Sequence, residues 1–355
     1  MRRSLKKKPA ARLLVHCVIV VALPAFADES KTTSSPPGTS DRTVRDAAAR
    51  SIRLIEQSAT EILKHRQCST CHHQTLSLIV FDEARRVGLE FDEGVFQSQL
   101  RRIRTYHASR LEGYLAAKDN GEQVHTPGYG LWGLDAAGHQ PDKLTAAIVG
   151  YLLSYQQESG HWLVGLDRRP AEASDFTTNY LAIRAVKRYG IEHQRDQIAT
   201  RTKAVKQWLA KAKTRDTEDE VFRLRLAHEL NYEKKQLKPF IDGLLDAQHI
   251  SGGWPQTAAM APDAYATASV LVALHESGNV PVDHPSWQLG LRYLLQTQQP
   301  DGSWHVVTRA KPMQEYFESG FPYRGDQFIS AFATGWSTKA LLLSLRVTEQ
   351  GRKPG

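Results

Sequence analysis

Apolar and polar positions along this chain alternate with a helical period, and several of the apolar runs end in the same way. The stretches YLLSYQ from Tyr151, FIDGLLDAQ from Phe240 and LGLRYLLQTQ from Leu289 lead into three related endings. These are Gln157-Glu158-Ser159-Gly160-His161-Trp162, Gln248-His249-Ile250-Ser251-Gly252-Gly253-Trp254 and Gln299-Pro300-Asp301-Gly302-Ser303-Trp304. Each is a helix stop: glycine supplies the left-handed residue past the last turn, glutamine can bond the orphan carbonyls, and tryptophan can pack over the end. Trp162 and Trp254 stand two repeats apart and Trp254 and Trp304 one, so the skipped unit ends in the degenerate Lys211-Ala212-Lys213-Thr214.

Extended along the chain, that spacing predicts six helix pairs. The first helices fall at 43–64, 92–117, 141–157, 195–213, 236–249 and 286–298, and their partners at 72–88, 127–138, 174–190, 217–230, 263–277 and 326–346. The partners mix small and apolar residues, as in TNYLAIRAV from Thr178, AYATASVLVAL from Ala264 and ATGWSTKALLLSL from Ala333. Helices of that texture face neighbours on more than one side, unlike a helix with one wet face. Stacked hairpins build a solenoid or, if they close, a ring. The expectation is an all-α protein, an α6/α6 toroid of inner and outer helices spanning 42–348.

Charge and composition bear mainly on the ends of the chain. Of the 46 Lys and Arg, six lie in residues 1–27, where no acidic residue occurs; the remaining 40 face 38 Asp and Glu, a net of about +2 rather than +8. No basic stripe survives to neutralise phosphates, so a nucleic-acid partner is not expected. Residues 1–27 read as a signal peptide, with a basic start, the apolar run Leu13–Leu23 and the A-x-A-like Pro24-Ala25-Phe26-Ala27, and cleavage is expected after Ala27. Export to the periplasm follows, with 28–41 as a disordered tether, 349–355 as a disordered tail, and no later stretch expected to span a bilayer.

The three Gln-to-Trp endings resemble the QW repeats of the terpenoid cyclase and protein prenyltransferase toroid, over roughly residues 43–346. Tyr316–Ser330, YFESGFPYRGDQFIS, is similar to exported bacterial squalene-cyclase-like proteins. The resemblance implies a central cavity lined by the inner helices, suited to an apolar or isoprenoid ligand. It also implies a place for a cyclase acid, since the family's D-x-D-D motif is met here by Asp216-Thr217-Glu218-Asp219, with Glu218 where the acidic aspartate would stand. Glu218 and Asp219 are therefore the catalytic candidates. Against them, Thr217-x-x-Glu220 reads as a capping box, and Arg223 and Arg225 suit a solvated helix. Related chemistries lack their residues: no cysteine follows Cys71 for a prenyltransferase zinc, and Asn120-Gly121-Glu122-Gln123 lacks a thioester thiol. For a lyase or hydrolase, Asp175, Asp263 and Asp326 stand near inner-helix starts, where N-caps are expected.

The sharpest local pattern is Cys68-Ser69-Thr70-Cys71-His72, at the start of the first inner helix. Beyond the leader's Cys17 these are the only two cysteines, and C-x-x-C-H is the haem c attachment pattern. Two thiols join the haem vinyl groups and the histidine ligates the iron. A Cys68–Cys71 disulfide or redox pair, half a zinc site with His73, and a purely structural helix start remain open beside it. For the distal position Met313 or His305 is preferred to Met260, because ring closure would bring the loop before the sixth inner helix near the first. His73, Tyr129, Trp132, Phe176, Phe222, Tyr265, Phe328 and Trp336 lie on or near inner helices as possible cavity residues. The leading expectation is an exported toroid carrying one covalent haem c, with electron transfer to a periplasmic redox partner. The alternatives are an isoprenoid cyclase-like enzyme using residues 216–219, and a non-catalytic ligand-binding ring with a Cys68–Cys71 disulfide.

Overall fold

The computed structural model describes residues 40–66, 71–118, 123–155, 159–311 and 316–350. Residues 1–39, Cys68, Gln157 and Met313 lie outside the described residues. The helices run in pairs. Helix α1 (Asp41–His65) leads through a π-helical turn, Cys71–Thr75, into α2 (Leu76–Arg86). Next come α3 (Glu93–Ala108) and the short α4 (Leu111–Leu115), followed by α5 (His125–Ala136). Then α6 (Lys143–Ser154) precedes α7 (Asp175–Tyr189), and α8 (Arg195–Leu209) precedes α9 (Thr217–Glu229). Finally α10 (Lys234–Asp246) precedes α11 (Ala264–Glu276), and α12 (Pro285–Thr297) precedes α13 (Gln327–Gln350). A two-residue antiparallel pair, Trp254–Pro255 with Pro262–Asp263, is the only named sheet among the described residues.

The second helix of each pair forms the inner layer. In order around the ring, α2 packs on α5, α5 on α7, α7 on α9, α9 on α11 and α11 on α13, and α13 returns to both α2 and α1. The ring is closed, and the protein is an α6/α6 toroid. Burial separates the layers as the texture of the sequence predicts. Every residue of α11 from Ala264 to Leu274 is buried, whereas α10 buries only Leu237 and Leu244. Close approach between inner helices depends on missing side chains: a Cβ on Gly128 of α5 would lie 2.8 Å from Leu181 of α7, and one on Gly335 of α13 2.4 Å from Leu76 of α2.

Helix starts are fixed by short polar side chains, since the first N–H groups of a helix have no partner within it. Ser40, Asp92, Asp142, Ser174, Asp216 and Asp263 each accept a first-turn N–H. The stops are the three shared endings. The indole N–H of Trp162 donates to Leu152 O at 2.8 Å, that of Trp254 to Leu244 O at 2.6 Å and that of Trp304 to Leu294 O at 2.8 Å. Their backbone N–H groups donate inward, to Asn179, Thr267 and Thr334 on α7, α11 and α13. Each turn thus ties an outer helix to the inner helix that follows it.

Two expectations need correction. The predicted helix 92–117 is broken into α3 and α4 at Ser109, whose hydroxyl donates to Tyr106 O and competes with the helical ladder. Arg324–Leu345 is, by length and composition, apolar enough to cross a membrane, contrary to the expectation that no later stretch is. Its most apolar window is 94% buried inside the protein, because an inner helix of the ring is covered on all sides.

Candidate functional site

Three consecutive inner helices bring their first turns together around one carboxyl group. Glu218 is the second residue of α9, Thr177 the third of α7 and Tyr265 the second of α11. Thr177 Oγ1 donates to Glu218 Oε1 at 2.9 Å, and the Tyr265 hydroxyl donates to Oε2 at 2.8 Å. Glu218 is 3% exposed. Burial pushes its pKa up to about 8, the two hydroxyls oppose the rise, and the nearby charges of Asp216 and Asp219 add to it. Burial also raises the Tyr265 phenol well above its ordinary value. At neutral pH Glu218 therefore keeps its proton, and its two neighbours are placed to stabilise the carboxylate left behind when that proton is given up.

The residues around it differ from expectation. The N-cap of α9 is Asp216, which accepts from Asp219 N at 3.2 Å, and not Thr217, whose hydroxyl donates to Pro255 O. Glu220 does not close a capping box; it bonds Thr214 and Arg223. Arg225, expected on a solvated face, is 2% exposed. Periodicity within α9 could not show this, because the ring covers both faces of the helix. The two catalytic candidates also separate. Asp219 is buried and bound by Arg215 through N at 3.0 Å and Nε at 2.9 Å, an arrangement that anchors the loop before α9.

From Tyr265 a continuous series of aromatic contacts crosses the ring. Tyr265 meets Phe332 edge-on, Phe332 meets Phe328 and Tyr129, Tyr129 stacks on Trp132, and Trp132 touches both Trp336 and Tyr180, which reaches Phe222. Of the eight expected cavity residues, Tyr129, Trp132, Phe222, Tyr265, Phe328 and Trp336 belong to this series. Phe176 instead packs on Trp208 of α8. His73 is buried beside Leu76 and Phe321, around a space of about 10 Å³, too small for more than one water molecule. Its pKa falls to about 3 through burial and the nearby Arg168 charge. Arg168 also covers the Phe328 ring, 3.3 Å from its centroid.

The haem-related residues are only partly described. Cys71 and His72 belong to the π-helical turn that enters α2, while Cys68 and Met313 lie outside the described residues. His305 is on the loop after Trp304, with Nε2 2.9 Å from Asp326 and its ring stacked on Tyr323. Met260 lies in the loop between the two short strands.

The other acidic residues at the starts of the inner helices are committed to backbone or side-chain partners. Asp263 caps α11 and accepts from Gln256 at 2.7 Å. Asp175 is not a cap, that role belonging to Ser174, and it accepts from Val164 N. Asp326 accepts from Thr308 N and pairs with His305, and Asp216 pairs with Arg309 at 3.4 Å. Sequence reasoning missed Tyr180, Phe332 and the charged residues Arg184, Glu276 and Lys339. Their signal was available, since Arg184 and Lys339 interrupt helical stretches that are otherwise small and apolar.

No protein-family model matches the chain, and no curated protein matches it. Among solved structures it is similar to a wild-type glycosidase, with a TM-score of 0.52 and 12% identity, covering 84% of this chain and 98% of that one. It is also similar to the type II terpene cyclase MstE from Scytonema, with a TM-score of 0.51 and 12% identity, covering 86% and 99% respectively. At such identities the shared property is the fold.

Proposed function

We propose that the protein is a terpene-cyclase-like enzyme in which Glu218 protonates an alkene of an isoprenoid held against the aromatic residues of the ring. The observation that supports this reading is a buried carboxyl group, protonated at neutral pH, between Thr177 and Tyr265. In the reaction the alkene π electrons take the Glu218 proton, leaving a carboxylate on the enzyme and a carbocation on the substrate. The next double bond closes a ring by attacking that cation, loss of a proton from carbon to water ends the sequence, and Glu218 regains a proton from solvent, so no oxidant or reductant is consumed. The carboxylate left behind keeps the two hydroxyl donors. The Tyr265 ring, whose hydroxyl bonds the proton donor, is suited to developing positive charge. The fold is compatible with this choice, being shared with a type II terpene cyclase as it is with a glycosidase. A glycosidase mechanism needs two facing carboxyl groups, and Asp216, Asp219, Asp263 and Asp175 are already engaged elsewhere.

The test is incubation of the purified protein with linear polyprenols and squalene, with cyclic isomers read by mass-resolved chromatography. Cyclic products from wild type, and a loss of about 100-fold or more in Glu218→Gln, are expected. Failure to cyclise any of these substrates, or cyclisation unchanged in Glu218→Gln, would overturn the proposal.

The Cys68-Ser69-Thr70-Cys71-His72 motif supports a second, separable reading. We propose that it holds a covalent haem c, with thiols from Cys68 and Cys71 and the iron on His72. The donor set suits that group, and the π-helical turn at Cys71–Thr75 is a backbone irregularity of the kind found at functional positions. Bound there, haem would supply one-electron chemistry toward a periplasmic redox partner, and Met313 or His305 would be the further residue to hold it. Export through a signal peptide cleaved after Ala27 belongs to this proposal. A pyridine haemochrome spectrum on protein from cells that mature c-type cytochromes decides it: a covalent haem band supports it, and a colourless, fully helical protein excludes it.

A further inference from the structure

Away from Glu218, toward the C-terminal ends of α7, α9 and α11, lies a cavity of about 620 Å³ whose walls include Trp132, Tyr180, Arg184, Arg225, Glu276 and Lys339. That volume is in the range of small-molecule sites. Arg225 is the unusual member. It is 2% exposed, and its guanidinium carbon lies 5.2 Å from the Trp336 ring, 5.8 Å from those of Tyr180 and Phe222 and 5.9 Å from that of Trp132. Its Nη1 stands 3.4 Å from Glu276 Oε2, while Nε and Nη2 have no hydrogen-bond partner among the described residues. Two unpaired donors on a buried cation are costly. Nε and Nη2 form the edge of the guanidinium fork that grips a planar oxyanion with two parallel bonds; both are buried here, so the guanidinium must turn toward the cavity to use them.

The surrounding charges also favour an anion. Glu276 is held by Lys339 Nζ at 2.6 Å, and Arg184 is shared between Asp135 and Glu229. Two cations of the cavity wall, Lys339 and Arg225, therefore share the single carboxylate of Glu276. Burial alone would raise Glu276, but the charges of Lys339, Arg225 and Arg184 reverse the effect and hold its pKa at about 2, so it remains a fixed anion. One positive charge is left over, beside the rings of Trp132 and Tyr180.

We propose that this cavity binds an organic oxyanion, with a carboxylate or phosphate headgroup held by Nε and Nη2 of Arg225 and an apolar body against Trp132 and Tyr180. The site is independent of the Glu218 reading and involves no bond making.

Calorimetric titration of the full-length protein with decanoate, decyl phosphate and decanol tests it. Either oxyanion should bind at least tenfold more tightly than decanol, and the tighter of the two identifies the headgroup. Equal binding of decanol, or no binding of either oxyanion, overturns the proposal. Arg225→Gln should weaken oxyanion binding tenfold or more; a folded variant that binds as wild type does refutes it. If Arg225→Gln does not fold, Glu276→Gln decides, since removing the competing carboxylate should tighten oxyanion binding severalfold. Unchanged or weaker binding in Glu276→Gln counts against the site.

Discussion

Glu218 shows how a residue's role depends on what surrounds its carboxyl group. In the first turn of an isolated helix its charge would be favourable. Here its pKa is raised from the usual 4.5 to about 8, so the folded protein holds a proton that the unfolded chain releases between those two values. The stability it contributes is complete below pH 4.5 and is lost as the pH rises toward 8, at up to about 1.4 kcal/mol per pH unit. Buried His73, His107 and His125, whose pKa values fall to about 3, 3 and 4, act in the opposite sense below about pH 6.5, so the measurement is a difference. From pH 5 to pH 8 the urea midpoint of wild type should fall relative to that of Glu218→Gln, with slopes that differ by about one proton. Equal slopes would mean that Glu218 is ionised in the folded state. Tyr265→Phe removes one hydrogen bond to the carboxylate, so the pH at which cyclising activity declines should move upward, by about one unit for a bond to a charged group.

Among the elements, the Gly-to-Trp turns hold outer helices to the rest of the ring. Gly302 has φ +92°, and a Cβ there would fall 2.6 Å from the backbone of Arg50 on α1; at Gly252, φ +89°, it would meet Leu289 O at the same distance. Gly302→Ala should therefore destabilise the protein by about 2 kcal/mol or more, combining left-handed strain with a backbone clash. Gly243→Ala is the matched control. Gly243 is exposed within α10, with nothing within 4 Å of the added methyl, so it should gain roughly 0.5–1 kcal/mol in chemical denaturation. If both substitutions have similar effects, the turns do not contribute as argued.

At the scale of the whole molecule, closure is the decisive feature. Gln298, at the end of α12, donates to Ala47 O on α1 at 3.0 Å and accepts from Arg50, so the last outer helix is tied to the first. Thr338 of α13 also donates to Ser51 of α1, at 2.8 Å. An open solenoid loses roughly one repeat when an end is removed. A ring loses the cover of two neighbours. Deleting residues 1–66 should abolish cooperative thermal unfolding, with circular dichroism showing a broad, low transition. A sharp transition with helicity reduced only by the length of α1 would show that closure adds little.

The sequence by itself determined the hairpin count, the helix stops and the assignment of inner and outer layers. These depend on local chemistry: glycine in a left-handed turn, capping side chains, and the contrast between stripes and all-round apolar texture. The motif at Cys68, Cys71 and His72 is likewise readable as residues in order. Only the tertiary structure decided which charged residues are buried. Within α9, Glu218, Asp219 and Arg225 look alike as polar positions of one helix. The neighbouring α7 and α11 desolvate Glu218, Arg215 neutralises Asp219, and the aromatic residues of α5, α7, α9 and α13 enclose Arg225. Those partners come from elements about 40 or more residues away for Glu218 and from as far as α13 for Arg225. Local periodicity contains no information about them, because each environment exists only once the ring has closed.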